Sequence, residues 1–202
     1  MQLAMNSTTF QSSESSDFQF PTTLATLTMV AGLCLTQASF ANPSNSSANP
    51  FGLELGQATC EQAKTQLNPV KEQPLQDGDI LVKTASPEKI YPGASQVFAR
   101  CRGNRVIAVV IESSKGGMDN SASRSAFATL NSKYKLVKGG PMPSLGNGYA
   151  RFAAGNSVIE QDAPHLSFEF TISYFEKSFF EELVSDSQKR KQETANKKQS
   201  SL

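Results

Sequence analysis

The sequence predicts an α+β fold, in which helices pack on one face of an antiparallel sheet, and three stretches carry that prediction. In residues 51–67 the apolar spacing changes from the two-residue period of Phe51, Leu53 and Leu55 to the four-residue step from Ala63 to Leu67, the mark of a strand passing into a helix. In residues 96–112 two apolar runs flank Arg102-Gly103-Asn104-Arg105, a hairpin turning at Gly103-Asn104. In residues 166–174 Phe168, Phe170, Ile172 and Tyr174 alternate with Ser167, Glu169, Thr171 and Ser173, so this strand has one buried and one wet face.

Both ends of the chain differ in composition from this middle. Residues 1–20 are rich in Ser, Thr, Gln and Asn, and residues 24–35 are almost wholly apolar. A membrane span needs roughly 20 such residues, whereas a secretory h-region needs about 7 to 15 and is followed by small residues at the cleavage site. Residues 1–41 therefore read as a signal peptide, cleaved after Ala41 in Ser39-Phe40-Ala41, with an atypical polar n-region because no Lys or Arg precedes the apolar run. The competing reading is a disordered N-terminus followed by a buried helix. On the export reading the mature chain has no transmembrane span and is periplasmic or secreted. Cys34 leaves with the leader, since Leu33 stands where a lipoprotein signal needs a small residue. Cleavage removes Glu14 and Asp17 and no basic residue, moving the formal net charge from +1 to +3, too mild to imply nucleic acid.

Losing Cys34 leaves an even pair, Cys60 and Cys101. An oxidising compartment would join them, and closing a loop of about 40 residues stabilises a fold by roughly 4 kcal/mol on the chain-entropy model. The alternative is two buried reduced thiols. A metal site is disfavoured because no third and fourth ligand sit nearby.

Along the chain, residues 42–50 form a disordered Ser, Asn and Pro spacer, and folding spans residues 51–184. Thr59 is placed as N-cap with Gln62 at N3, a capping box. Asn68-Pro69 ends that helix, since the residue before proline leaves the helical region. A polar connection leads to the turn signal Asp77-Gly78-Asp79 and a strand at Ile80-Leu81-Val82, then to a long loop broken by Pro87 and Pro92. The second arm of the hairpin, residues 106–111, is apolar on both faces and reads as a central strand. A second helix starts at Ser121, with Ala126, Phe127, Leu130 and Tyr134 at helical spacing. Residues 149–153, 157–161 and 166–174 read as three strands, the first two joined at Gly155-Asn156. Phe179, Phe180 and Leu183 mark a short amphipathic helix or strand extension, and residues 185–202 a disordered basic tail.

Residues 51–112 and 113–174 have the same element order, a helix and about three antiparallel strands, the pattern of a tandem duplication. The Phe-Gly-Leu-Glu-Leu-Gly opening, the Thr-capped helix, the central hairpin and the second helix ending in Ser132-Lys133-Tyr134 resemble a group of exported bacterial proteins of unknown function. Their fold is like that of the β-lactamase-inhibitor protein and the small lipoprotein of the outer-membrane β-barrel assembly machine. The resemblance implies architecture, and both of those proteins are binders; the chain has no lipobox, and no target-contacting residue of the inhibitor maps onto it, so neither specific function is carried over.

Catalytic signatures are scarce. The sole histidine, His165, sits in a turn, and the Gly-Gly pairs at Gly116 and Gly139 lack the spacing of a phosphate loop, so no metal or cofactor is predicted. The predicted function is a non-catalytic binding module for a protein or cell-envelope component. Its candidate surface includes Tyr149 and Phe152 if either points outward, the alternative being that both are core. The rival reading is a carboxylate hydrolase built from Glu160, Asp162 and Glu169 converging across strands.

Overall fold

The computed structural model describes residues 46–117 and 119–200. The predicted leader, Cys34, the cleavage site after Ala41 and the start of the spacer lie outside the described residues. The capping box forms as expected: Thr59 Oγ1 accepts from the Gln62 N–H at 3.2 Å and Gln62 Oε1 accepts from the Thr59 N–H at 2.7 Å, opening helix α1, Cys60–Gln66. The segment before it is not a strand. Phe51 and Gly52 take left-handed backbone angles, φ 57° and 80°, in a 3-10 turn over Pro50–Gly52. Leu53 and Leu55 are nevertheless fully buried, because Leu55 N–H bonds the Ala48 carbonyl and Gly56 N–H the Val106 carbonyl, so the chain plugs the end of the sheet.

The strands are β1 Val70–Pro74, β2 Ile80–Thr84, β3 Ala94–Arg102, β4 Arg105–Ser114, β5 Lys135–Gly139, β6 Gly148–Ala154, β7 Ser157–Ala163 and β8 Glu169–Glu176. Between them lie α2 Pro87–Ile90, which shortens the predicted long loop, and α3 Ser121–Lys133; α4 Lys177–Ser200 follows β8. All eight strands form one antiparallel sheet in the order β1-β2-β3-β4-β8-β7-β6-β5. The order is symmetric about the β4–β8 seam, with α1 preceding the four strands of one half and α3 the four strands of the other. Each unit thus has one strand more than predicted, the additional ones being the two sheet edges.

Strand parity decides which side chains meet the helices. Val97, Ala99 and Cys101 of β3, Val109 and Ile111 of β4, Phe170, Ile172 and Tyr174 of β8, Ile159 of β7 and Ala150 and Phe152 of β6 join one core with Ala63 and Leu67 around α1 and Ala126, Phe127 and Leu130 of α3. Gln161, with no exposure, anchors α3 by donating Nε2 to the Ser123 carbonyl at 2.7 Å and to Ser123 Oγ at 3.1 Å.

Two predictions at the C-terminal end need correction. Strand β8 starts at Glu169, where β4 ends opposite it at Ser114, so Leu166 and Phe168 stand in the preceding loop, 93% and 88% exposed. The region expected to be a disordered tail continues α4, which over residues 185–197 is polar and buries no side chain. Straight-chain Gln, Lys, Arg and Glu lose little rotamer freedom in a helix, and that propensity carries the element past its packed first turns.

Candidate interaction face

The side of the sheet opposite α1 and α3 is covered only in part. Phe179 of α4 packs on Ile107, Ala108 and Phe175, with its ring 4.9 Å from the Arg100 guanidinium carbon and 5.1 Å from that of Arg102. Beyond this footprint a register row crosses every strand: Lys71, Lys83, Phe98, Val110, Ser173, Glu160, Arg151 and Lys138 are successive cross-strand partners. From Lys83 to Arg151 every member of the row is half-buried, and at its Glu160–Arg151 end the row borders α4 at Phe180 and Lys191. Phe98 and Val110 form its apolar centre.

On the β6–β7 side the face carries a fixed polar group. Tyr149 donates its hydroxyl to Glu160 Oε1, and Arg151 donates Nε to the Tyr149 hydroxyl at 3.0 Å and to Glu160 Oε1 at 2.9 Å, with Nη2 on the same carboxylate oxygen at 2.8 Å. The Arg151 guanidinium also lies 4.6 Å from the Phe180 ring centroid. Burial, then the hydrogen bond to Glu160, push the Tyr149 phenol up to about 12, so it stays protonated and donating at neutral pH. Guanidinium, phenol and carboxylate therefore hold one another in place, and the face meets solvent with those rotamers already chosen.

The two residues singled out from sequence separate. Tyr149 is half-buried on the open face, whereas Phe152 has no exposure and packs on Phe127 of α3 with ring centroids 5.7 Å apart. Three residues apart on one strand, they point to opposite sides of it. Phe98, Val110 and Arg151 were missed; the parity of β3 and β4 against their buried neighbours was the signal available.

Glu160 is held by Arg151 and Tyr149, and the cavity beside it, bounded by Arg151, Phe180 and Lys191, contains no second carboxylate. Asp162 lies in the next row, opposite Tyr149 and Thr171, and Glu169 is exposed at the start of β8. His165 accepts the Gly146 N–H on Nδ1 at 3.1 Å and its own N–H bonds Asn147 at 2.7 Å, fastening two loops together.

The cysteines sit at the far end of the sheet. The Cys60 N–H bonds the Asn104 carbonyl while Cys101 pairs with Val106 two residues further on, which brings both side chains under the start of α1. Both are free thiols and buried, at 5% and 2% exposure. Burial, then the thiol contact with Cys60, push the Cys101 thiol well above its ordinary value, so it is protonated at neutral pH in this free-thiol form. No helix among the described residues is long and apolar enough to cross a membrane. No protein-family model, no curated protein and no solved structure matches the chain.

Proposed function

We propose that the chain is an exported, non-catalytic binding module whose open sheet face holds a protein partner. The observation that carries this reading is the row from Lys83 to Arg151, an apolar centre at Phe98 and Val110 beside a pre-set Tyr149–Arg151–Glu160 group. Tyr and Arg dominate binding energy at interfaces, and rotamers already fixed lose less entropy on association. The resemblance to exported proteins of unknown function whose fold is like that of two binders supports the same class, and the apolar run at residues 24–35 supports export.

Capture from cell-envelope extract by the full chain tests the face. Truncating an interface anchor costs at least about 2 kcal/mol, roughly 30-fold in affinity, so Phe98→Ala and Arg151→Ala should each release the partner while leaving the fold intact. Equal capture by folded variants removes this face from the function.

Export also implies that Cys60 and Cys101 are oxidised to a disulfide in the native host. The adjacency of the two thiols supports this, and the gain is about 4 kcal/mol for the loop that the bond would close. Peptide mapping without reductant should recover the two cysteines linked, and alkylation of both in untreated native protein would contradict it.

A further inference from the structure

On the helix-covered side, α1 packs over β2 and β4 and α3 over β6, and a groove of about 330 Å³ is left between α3 and the connector that follows α2. Ala122, Ser125 and Thr129 of α3 form one wall and Tyr91 and Pro92 the other. Ile172 and Tyr174 of β8 form the floor beside the β4–β8 seam. Small side chains on the exposed flank of the helix keep the space open, and its volume is at the lower end of those that hold small molecules.

Tyr174 is the telling residue. It is nine-tenths buried, it lines the groove, and its hydroxyl has no hydrogen-bond partner among the described residues. Burial, then the closeness of Tyr134 and Tyr91, raise this phenol above its ordinary value, which keeps it a neutral donor. The hydroxyls of Tyr91 and Tyr134 also lack partners among the described residues. Among the described residues the buried side-chain atom without a partner is Gln161 Oε1, so the Tyr174 hydroxyl keeps contact with the open groove, where a ligand acceptor can take the place of water. No charged side chain lines the groove, so neither an anion nor a cation finds a counter-charge there.

We propose that this groove is a binding site for a neutral, mainly apolar small molecule carrying a hydrogen-bond acceptor for the Tyr174 hydroxyl. The site lies on the opposite side of the sheet from the interaction face and stands or falls independently of it.

The chain has four tyrosines and no tryptophan, so ring-labelled tyrosine gives a four-signal NMR spectrum with its own control: Tyr91 and Tyr174 line the groove, Tyr134 stands near Tyr174, and Tyr149 reports on the open face. The full chain is titrated with acetophenone, which has one acceptor on an apolar body. It is titrated in parallel with ethylbenzene, which lacks the acceptor, and with benzoate, which carries charge. Acetophenone should shift Tyr174 and Tyr91 saturably with a roughly millimolar dissociation constant, leaving Tyr149 in place. Ethylbenzene should bind about fivefold more weakly, the worth of one hydrogen bond, and benzoate more weakly still. Tyr174→Phe should cost acetophenone the same fivefold without lowering Tm, and Ser125→Leu, at an exposed helix position, should fill the groove and abolish the shifts. No saturation by acetophenone, equal binding of ethylbenzene, unchanged affinity in either variant, or a Tyr149 shift as large as that of Tyr174 would overturn the proposal.

Discussion

Phe152→Ala is expected to lower the unfolding free energy by about 3 to 5 kcal/mol, the usual cost of emptying a fully buried phenylalanine site. Phe152 has no exposure, and its ring meets Phe127 at 5.7 Å and an interplanar angle of 48°. The contact joins β6 to α3, so truncation removes apolar burial and leaves a cavity under the helix that the sheet cannot close. Arg151→Ala, one residue away, should cost less, about 1 to 2 kcal/mol, because that side chain is 28% and its partner Glu160 24% exposed, so the carboxylate left behind can still reach water. Urea midpoints of the two variants measure the contrast. Comparable losses would show that parity on β6 does not separate core from surface as described. The same contrast makes Phe152 unsuitable as a probe of binding: any partner lost by its alanine variant is lost with the fold.

The parts of the fold legible in the sequence are those in which a local chemical signal and a tertiary requirement coincide. Thr59 and Gln62 satisfy each other's backbone within four residues, so the start of α1 needs no distant information. Strand β4 is apolar on both faces because Phe179 covers Ile107 and Ala108 on one side while the main core takes Val109 and Ile111 on the other. The edge strands were invisible for the converse reason. Val70–Pro74 and Lys135–Gly139 bury no side chain, so neither carries an alternating apolar pattern, and their pairing is written in β2 and β6 instead. At residues 51–55 the pattern was present and the inference from it failed: Leu53 and Leu55 are buried, but positive φ at Phe51 and Gly52 makes the chain turn where a strand would run straight. The open face was legible only as the wet side of β8. Its content depends on registers among eight strands, which place Lys83, Phe98, Val110, Ser173, Glu160 and Arg151 in one row although they are scattered over the sequence. The groove depends on what two helices fail to cover, and composition holds no trace of that.

Asp79→Ala should destabilise the protein by about 3 kcal/mol and loosen α4 in particular. In sequence Asp79 is only the end of a turn signal, yet its side chain is 3% exposed and accepts from Arg100 Nε at 2.6 Å and Arg102 Nε at 2.9 Å. Those guanidiniums flank the Phe179 ring, and Arg102 continues to Glu182 at 2.7 Å, so one carboxylate positions both cations that seat the first turns of α4. Removing one partner of a buried pair costs about 3 to 5 kcal/mol when the other is trapped. Here Arg100 and Arg102 are 22% and 39% exposed and can turn to water, which sets the lower figure. Burial opposes the charge on Asp79, but hydrogen bonds from Arg102 and Arg100 outweigh it and hold the carboxyl below the ordinary carboxylate range. Because the folded value is depressed, the contribution is fully present above the unfolded value of about 4 and is lost as pH falls through the folded one. Wild type and Asp79→Asn should therefore differ most at neutral pH and converge in strong acid, and amide exchange in α4 should accelerate in the variant before exchange in β4 does. A stability gap that persists unchanged at low pH, or α4 protection equal in both proteins, would show that the carboxylate does not hold the helix.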